Sequence, residues 1–202
     1  MDNPAENING RKISSTVENP IDNYIIEVCE KFNPILKKLH FTPNTITILS
    51  IITSYIGIYC IYKYKFYLAS IFIFIGYFFD SLDGNYARKY DMVTDFGDQL
   101  DHFGDISKII LLILVFFLIK IKMKTKIISI VLVISFLILT LWHLGCQEQN
   151  YIIKKNVNVL EKLENLCSHK KYIKYSRFFG GGTSILIICI FIFNLKYINK
   201  IL

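Results

Sequence analysis

A chain of 202 residues is long enough for one domain, and 53% of its residues are hydrophobic. That fraction, with a mean hydropathy of +0.42, is high for a water-soluble domain of ordinary composition. The net charge of +7 does not single out nucleic acid: Lys and Arg lie mostly between apolar runs, where they suit a membrane surface, and no aromatic-and-basic pattern points to RNA or DNA.

Residues 1–18 are polar and Asn-rich; they read as a disordered N-terminus rather than a signal peptide. Residues 19–41 follow as an amphipathic helix lying at the membrane interface. Its apolar positions, Ile21, Ile25, Val28, Phe32, Ile35 and Leu39, recur at gaps of three and four, with Lys31, Lys37 and Lys38 off that stripe. An ordinary packed helix fits the same spacing, and Pro34 is expected to break or bend it near Asn33.

From residue 42 to 202 the chain reads as one membrane domain. Thr42 suits an N-cap and Pro43 the first helical position. The first membrane helix then runs to about Tyr62, the second from about Phe66 to Arg88, the third from about Gly97 to Ile119, and the fourth from about Ile127 to Gln147. A polar segment, Glu148 to Tyr175, leads to a fifth helix ending near Leu195, with the "GGGTS" run at Gly180 giving close packing or a break at its start. A spanning helix needs about 20 mostly apolar residues, which the second and third reach only by including the aspartate-rich stretch at their ends. The fold class is therefore all-α: a polytopic helix bundle of five transmembrane helices preceded by an interfacial helix. Cys29, Cys60, Cys146, Cys167 and Cys189 are odd in number and scattered, so buried thiols are expected, with no disulfide framework and no zinc site.

Seven aspartates lie between Phe78 and Asp105. An ionisable residue in a membrane segment is costly and points to function. At about 100° per residue, Asp80, Asp83, Gly84, Ala87 and Arg88 share one face of the second helix, while Gly97, Asp101 and Asp105 share one face of the third. Folding the two helices together brings four carboxylates to one place, where they cannot all stay ionised without a positive partner. Hard divalent cations suit oxygen ligands and bridge carboxylates to substrate phosphates. Small residues let a phosphate approach, and Arg88 offers it a donor. Asp91, Asp95 and Asp98 read as solvated loop or helix-start residues.

Asp80-x2-Asp83-Gly84-x2-Ala87-Arg88-x8-Gly97-x3-Asp101-x3-Asp105 resembles the signature of the CDP-alcohol phosphotransferases, with all eight specified residues at the expected spacing. The resemblance covers residues 42–147 and beyond that is only architectural. It implies an integral-membrane phospholipid-synthesis enzyme. An acceptor hydroxyl attacks the β-phosphorus of a CDP-linked donor and CMP leaves. It implies Mg²⁺ or Mn²⁺, two ions, on Asp80, Asp83, Asp101 and Asp105, with Asp105 also the general base. Gly84 and Arg88 match positions contacting the donor; "PNTIT" makes Asn44 and Thr47 candidates for cytidine contacts, and Thr94 a weaker one. "DHFGD", with His102, resembles the "DHGCD" of choline- and ethanolaminephosphotransferases, which use CDP-choline or CDP-ethanolamine with diacylglycerol. Enzymes joining CDP-diacylglycerol to inositol, inositol phosphate, glycerol phosphate or serine are the alternative, and Lys154, Lys155, Lys170, Lys171 and Arg177 could hold a phosphorylated acceptor. The resemblance further implies a homodimer. The active site is placed at the cytoplasmic face, of the endoplasmic reticulum in a eukaryote and otherwise of the plasma membrane, although Lys120, Lys122, Lys124 and Lys126 on the other side weaken the charge argument. The family core has six membrane helices against five counted here, leaving a missing helix, another segmentation or a partner subunit as explanations. A non-catalytic relative of such an enzyme and a cation transporter are the competing classes.

Overall fold

A computed structural model describes residues 10–150 and 159–202, with side chains from residue 163 in the second stretch. All regular structure among the described residues is helical. The helices are α1 (Pro20–Lys38), α2 (Pro43–Tyr62), α3 (Phe66–Lys89), α4 (Asp95–Leu118), α5 (Met123–Gln149), α6 (Ile173–Ser176), α7 (Gly181–Phe193) and α8 (Leu195–Ile201), with a tighter 3₁₀ segment at Val159–Leu166. Four stretches are long and apolar enough to span a membrane: Pro43–Tyr62, Phe66–Lys89, Met123–Gln149 and Lys170–Phe193. The last joins α7 to the short helical turns before it. Helix α4, 24 residues long, carries Asp95, Asp98, Asp101, Asp105 and Lys108 between its start and residue 108, so composition alone does not make it the fifth span. Its outer positions, among them Phe103, Ile106, Ile110, Leu114 and Phe117, are exposed apolar residues, as a lipid-facing surface requires. The chain is an integral membrane protein.

Helices α2 and α3 form the tightest pair. A Cβ on Gly57 would lie 2.7 Å from Ile73 Cγ1 and 2.9 Å from the Ile73 backbone nitrogen, and one on Gly76 would lie 3.1 Å from the Ser54 nitrogen. Small residues at facing positions let the backbones approach, as in other membrane helix pairs. The main apolar core links this pair to α4, α5 and α7 through Ile61, Ala69, Phe116, Val133 and Ile192.

Helix α1 runs past Pro34 to Lys38 instead of ending near Asn33. The proline removes one backbone donor, but the turn is anchored: fully buried Asn33 donates from Nδ2 to Asn85 Oδ1 on α3 at 2.6 Å. The apolar stripe divides: Ile25 is buried and Ile21 and Val28 partly so, whereas Phe32, Ile35 and Leu39 are exposed, and Ile26 and Cys29 beside the stripe are buried. Burial pushes the Cys29 thiol up to about 12.

Residues 1–9, half of the stretch expected to be disordered, lie outside the described residues. Residues 10–18 are held in place: Ile13 is fully buried with Cys146, Cys167 and Ile173. Lys12 pairs with Glu148 on α5, and Arg177 Nη1 donates to the Thr16 carbonyl. The close packing expected of the glycine run is found. A Cβ on Gly181 would meet the Tyr77 hydroxyl at 2.5 Å and one on Gly182 would meet Asp22 Oδ1 at 2.3 Å, so the start of α7 lies directly against α1 and α3.

The cysteine expectation fails in one respect. Cys146 and Cys167 form a disulfide, 21 residues apart in sequence, that ties the end of α5 to the segment after it. No spacing motif marks this pair; only the fold brings it together. Cys29, Cys60 and Cys189 are free and buried, as expected.

Candidate active site

The C-terminal end of α3 and the N-terminal end of α4 meet beside the start of α2. Each of these ends has a local cause. Thr42 caps α2, accepting from the Thr45 N–H at 3.3 Å, and Pro43 follows at the first turn. Thr94 caps α4, accepting from the Gly97 N–H at 3.1 Å. Tyr86 on α3 donates to the Phe41 carbonyl at 2.9 Å, fastening the end of α3 to the approach to α2.

Asp80, Asp101 and Asp105 converge: one carboxylate oxygen from each lies within 4.8 Å of the others. Asp83 is buried at 4% exposure, one turn from Asp80 and within electrostatic reach of Asp80 and Asp105. Asp83 Oδ2 and Asp101 Oδ1 are buried without a hydrogen-bond partner. Buried carboxylate oxygens in that state are costly, and a hard cation is the partner that suits them. The donor set therefore fits a divalent metal. Asp105 is the accessible member, its side chain 51% exposed.

The small and polar motif positions fall around this cluster. Arg88 folds back over Gly84, where a Cβ would lie 3.1 Å from Nη1, and its Nε donates to the Gly10 carbonyl at 2.8 Å. Gly97 faces Asn44: a Cβ there would lie 3.0 Å from Asn44 Oδ1. Thr47 is buried beside the Asp83 carboxylate and donates back to the Pro43 carbonyl at 3.1 Å.

A family model described as CDP-alcohol phosphatidyltransferase matches residues 40–201. The chain belongs to the CDP-alcohol phosphatidyltransferase family. Among its relatives, the CDP-diacylglycerol–serine O-phosphatidyltransferase of Bacillus subtilis is 37% identical over 68 residues, which are 34% of this chain and 38% of that protein. The archaetidylinositol phosphate synthase of Pyrococcus horikoshii is 36% identical over 72 residues, 36% of this chain and 38% of that protein. The chain thus matches about two fifths of the length of these curated relatives.

Other candidates are engaged away from the carboxylates in the contacts they make. His102 turns back along α4, its Nδ1 donating to the Asp98 carbonyl at 2.6 Å. The Thr94 hydroxyl serves as the α4 cap. Lys154 and Lys155 lie outside the described residues, and Arg177 is engaged with the Thr16 carbonyl.

Two residues at the cluster were missed in the sequence. Lys108 Nζ lies 2.5 Å from Asp80 Oδ1 and 3.1 Å from Asp105 Oδ1. The Ser50 hydroxyl donates to Asp80 Oδ1 at 3.2 Å. A signal existed for Lys108, which follows Asp105 by three positions and so shares its helix face. Ser50 carries none, since a serine in a membrane helix is unremarkable without its neighbours.

Proposed function

We propose that the chain is a divalent-metal-dependent enzyme of phospholipid synthesis that transfers a phosphatidyl or phospho-alcohol group from a CDP-linked donor to an acceptor hydroxyl, releasing CMP. The observation that carries this reading is the convergence of Asp80, Asp101 and Asp105 within 4.8 Å, with Asp83 buried beside them on the family's own motif. In this reading the four aspartates hold Mg²⁺ or Mn²⁺, two ions, which would neutralise the donor diphosphate and the departing CMP. Asp105, the accessible carboxylate, takes the proton of the acceptor hydroxyl. Arg88 and the Gly84 position it folds over receive the diphosphate, and Asn44 and Thr47, at the start of α2, receive the cytidine. Thr94 contributes through the α4 cap that sets Gly97 against Asn44.

For the donor, CDP-diacylglycerol with a polar alcohol is favoured. The B. subtilis relative's name carries that donor, and His102 is spent on its own helix, which weakens the argument for CDP-choline or CDP-ethanolamine. A homodimer in the membrane belongs to the same reading, as does an interfacial position for the exposed apolar edge of α1. For orientation, the cytoplasmic face suits a water-soluble nucleotide. The Cys146–Cys167 bridge lies at the same end of the bundle and favours the opposite, oxidising side; accessibility of a reporter cysteine at the α3–α4 turn decides between the two.

The test is CMP release by purified protein in lipid or detergent. CDP-diacylglycerol is offered with a panel of alcohols, and diacylglycerol with CDP-choline or CDP-ethanolamine. Metal-dependent release that requires one acceptor is expected, with Asp105→Asn lowering the rate by about 10²–10⁴-fold, the size of a general base. Folded protein that binds cytidine nucleotide yet releases no CMP with any pair would refute it.

A further inference from the structure

Lys108 lies outside the family motif, yet it is built into the carboxylate cluster. Its ammonium spends three donors on three helices: Asp80 Oδ1 of α3 at 2.5 Å, Asp105 Oδ1 of α4 at 3.1 Å and Ser50 Oγ of α2 at 3.0 Å. Ser50 is fully buried and the Lys108 side chain is 16% exposed. A lysine in a membrane segment is expensive unless paired, and here the pairing is complete. The oxygens without a partner belong to the other two aspartates, Asp83 Oδ2 and Asp101 Oδ1. The four carboxylates thus divide. One pair already carries a cation, and the other presents bare oxygens.

We infer that Lys108 is a tethered competitor of divalent cations at Asp80 and Asp105, so that the cluster fills in two unequal steps. Asp101, which lies with Asp80 and Asp105, and Asp83 offer the bare oxygens that would hold a first ion without moving Lys108. The second must displace the ammonium from Asp80 and Asp105, which the flexible four-carbon stem permits. This inference rests on the metal-dependent reading of the site. It assigns to Lys108 a positioning role: while engaged it keeps Asp80 of α3 and Asp105 of α4 together, and it yields only to an ion.

Mn²⁺ binding tests it without reference to turnover. Detergent-purified protein is titrated with Mn²⁺ while free ion is followed by electron paramagnetic resonance, which also reports spin coupling between two close ions. The wild type is expected to show two affinities at least about tenfold apart, since a unit charge at contact distance strongly disfavours a second cation. Lys108→Met should tighten the weaker step by about tenfold or more and leave the tighter step within about threefold, with the coupled signal appearing at lower Mn²⁺. Lys108→Arg, which keeps the charge, should keep the gap. Ser50→Ala, which removes one of three partners, should narrow it in the same direction and serves if Lys108→Met does not fold. A single affinity in the wild type, or equal tightening of both steps, or none, overturns the inference. Those outcomes in protein that still binds Mn²⁺ and cytidine nucleotide leave the proposed function standing. Folded protein that binds neither defeats both.

Discussion

The side-chain amide of Asn33 donates to Asn85 Oδ1 at 2.6 Å, and both residues are wholly buried. The pair joins α1 to α3 two positions after Asp83. Replacing Asn85 removes the acceptor of the buried Asn33 amide. Asn85→Leu is therefore expected to cost about 1–3 kcal/mol, the usual penalty for an orphaned buried polar group. The double variant Asn33→Leu, Asn85→Leu should recover part of that loss. Thermal unfolding in detergent of the two singles and the double measures the coupling, and strictly additive losses would contradict the assignment.

Gly57 sets the distance between α2 and α3. Gly57→Ala would press a methyl against the backbone nitrogen of Ile73, 2.9 Å away, and backbone cannot step aside as a side-chain tip can. The helices must separate, at an overpacking cost of about 1–3 kcal/mol. Because α2 carries Asn44 and Thr47 and α3 carries Asp80 and Asp83, the variant should lose melting temperature and cytidine-nucleotide affinity together. Retention of both at wild-type values would show that the pair tolerates a wider spacing.

Glu18 gives the fold a pH dependence outside the membrane helices. Its carboxyl is pushed up to about 7, first by burial and next by the charge of Asp22. A carboxyl that holds its proton more tightly when folded imposes no penalty below its ordinary value of 4.5. The penalty grows as pH rises toward 7 and is constant above. At full size it is of order 3 kcal/mol. Stability should fall from pH 5 to 7.5, and Glu18→Gln should flatten the profile. Some slope should persist, because burial also raises Asp22. An unchanged slope in Glu18→Gln would place the effect elsewhere.

The bridge between Cys146 and Cys167 makes a chemical prediction. Unfolded, unreduced protein should titrate three thiols, those of Cys29, Cys60 and Cys189, and reduced protein all five. Closing a loop of this length stabilises by roughly 3 kcal/mol in the chain-entropy view, so Cys167→Ser should lower the melting temperature under non-reducing conditions. Five thiols without reductant would show the bridge unformed.

The membrane class and most helix positions were legible in the sequence because lipid imposes a simple rule: about 20 apolar residues, with backbone groups satisfied within the helix. The start of α2 was legible from Thr42 and Pro43. The extra turn at the start of α5 was not, since Lys124 and Lys126 read as loop by polarity alone, and α4 starts two residues before Gly97. The break expected at Pro34 does not occur, and the Asn33–Asn85 contact that fastens that turn to α3 is invisible without the partner helix.

By itself the sequence determined the chemistry available. The spacing of Asp80, Asp83, Asp101 and Asp105 places them on two helix faces, since the turn angle of a helix is fixed by its backbone. Tertiary structure alone decided how those faces are used. The close approach of α2 to α3 at Gly57 and Gly76 brings Ser50 to Asp80. The crossing of α4 lets Lys108 reach both Asp80 and Asp105. The return of residues 10–18 puts the Gly10 carbonyl on Arg88. Each of these is a contact between residues distant along the chain, set by packing, and no local periodicity encodes it.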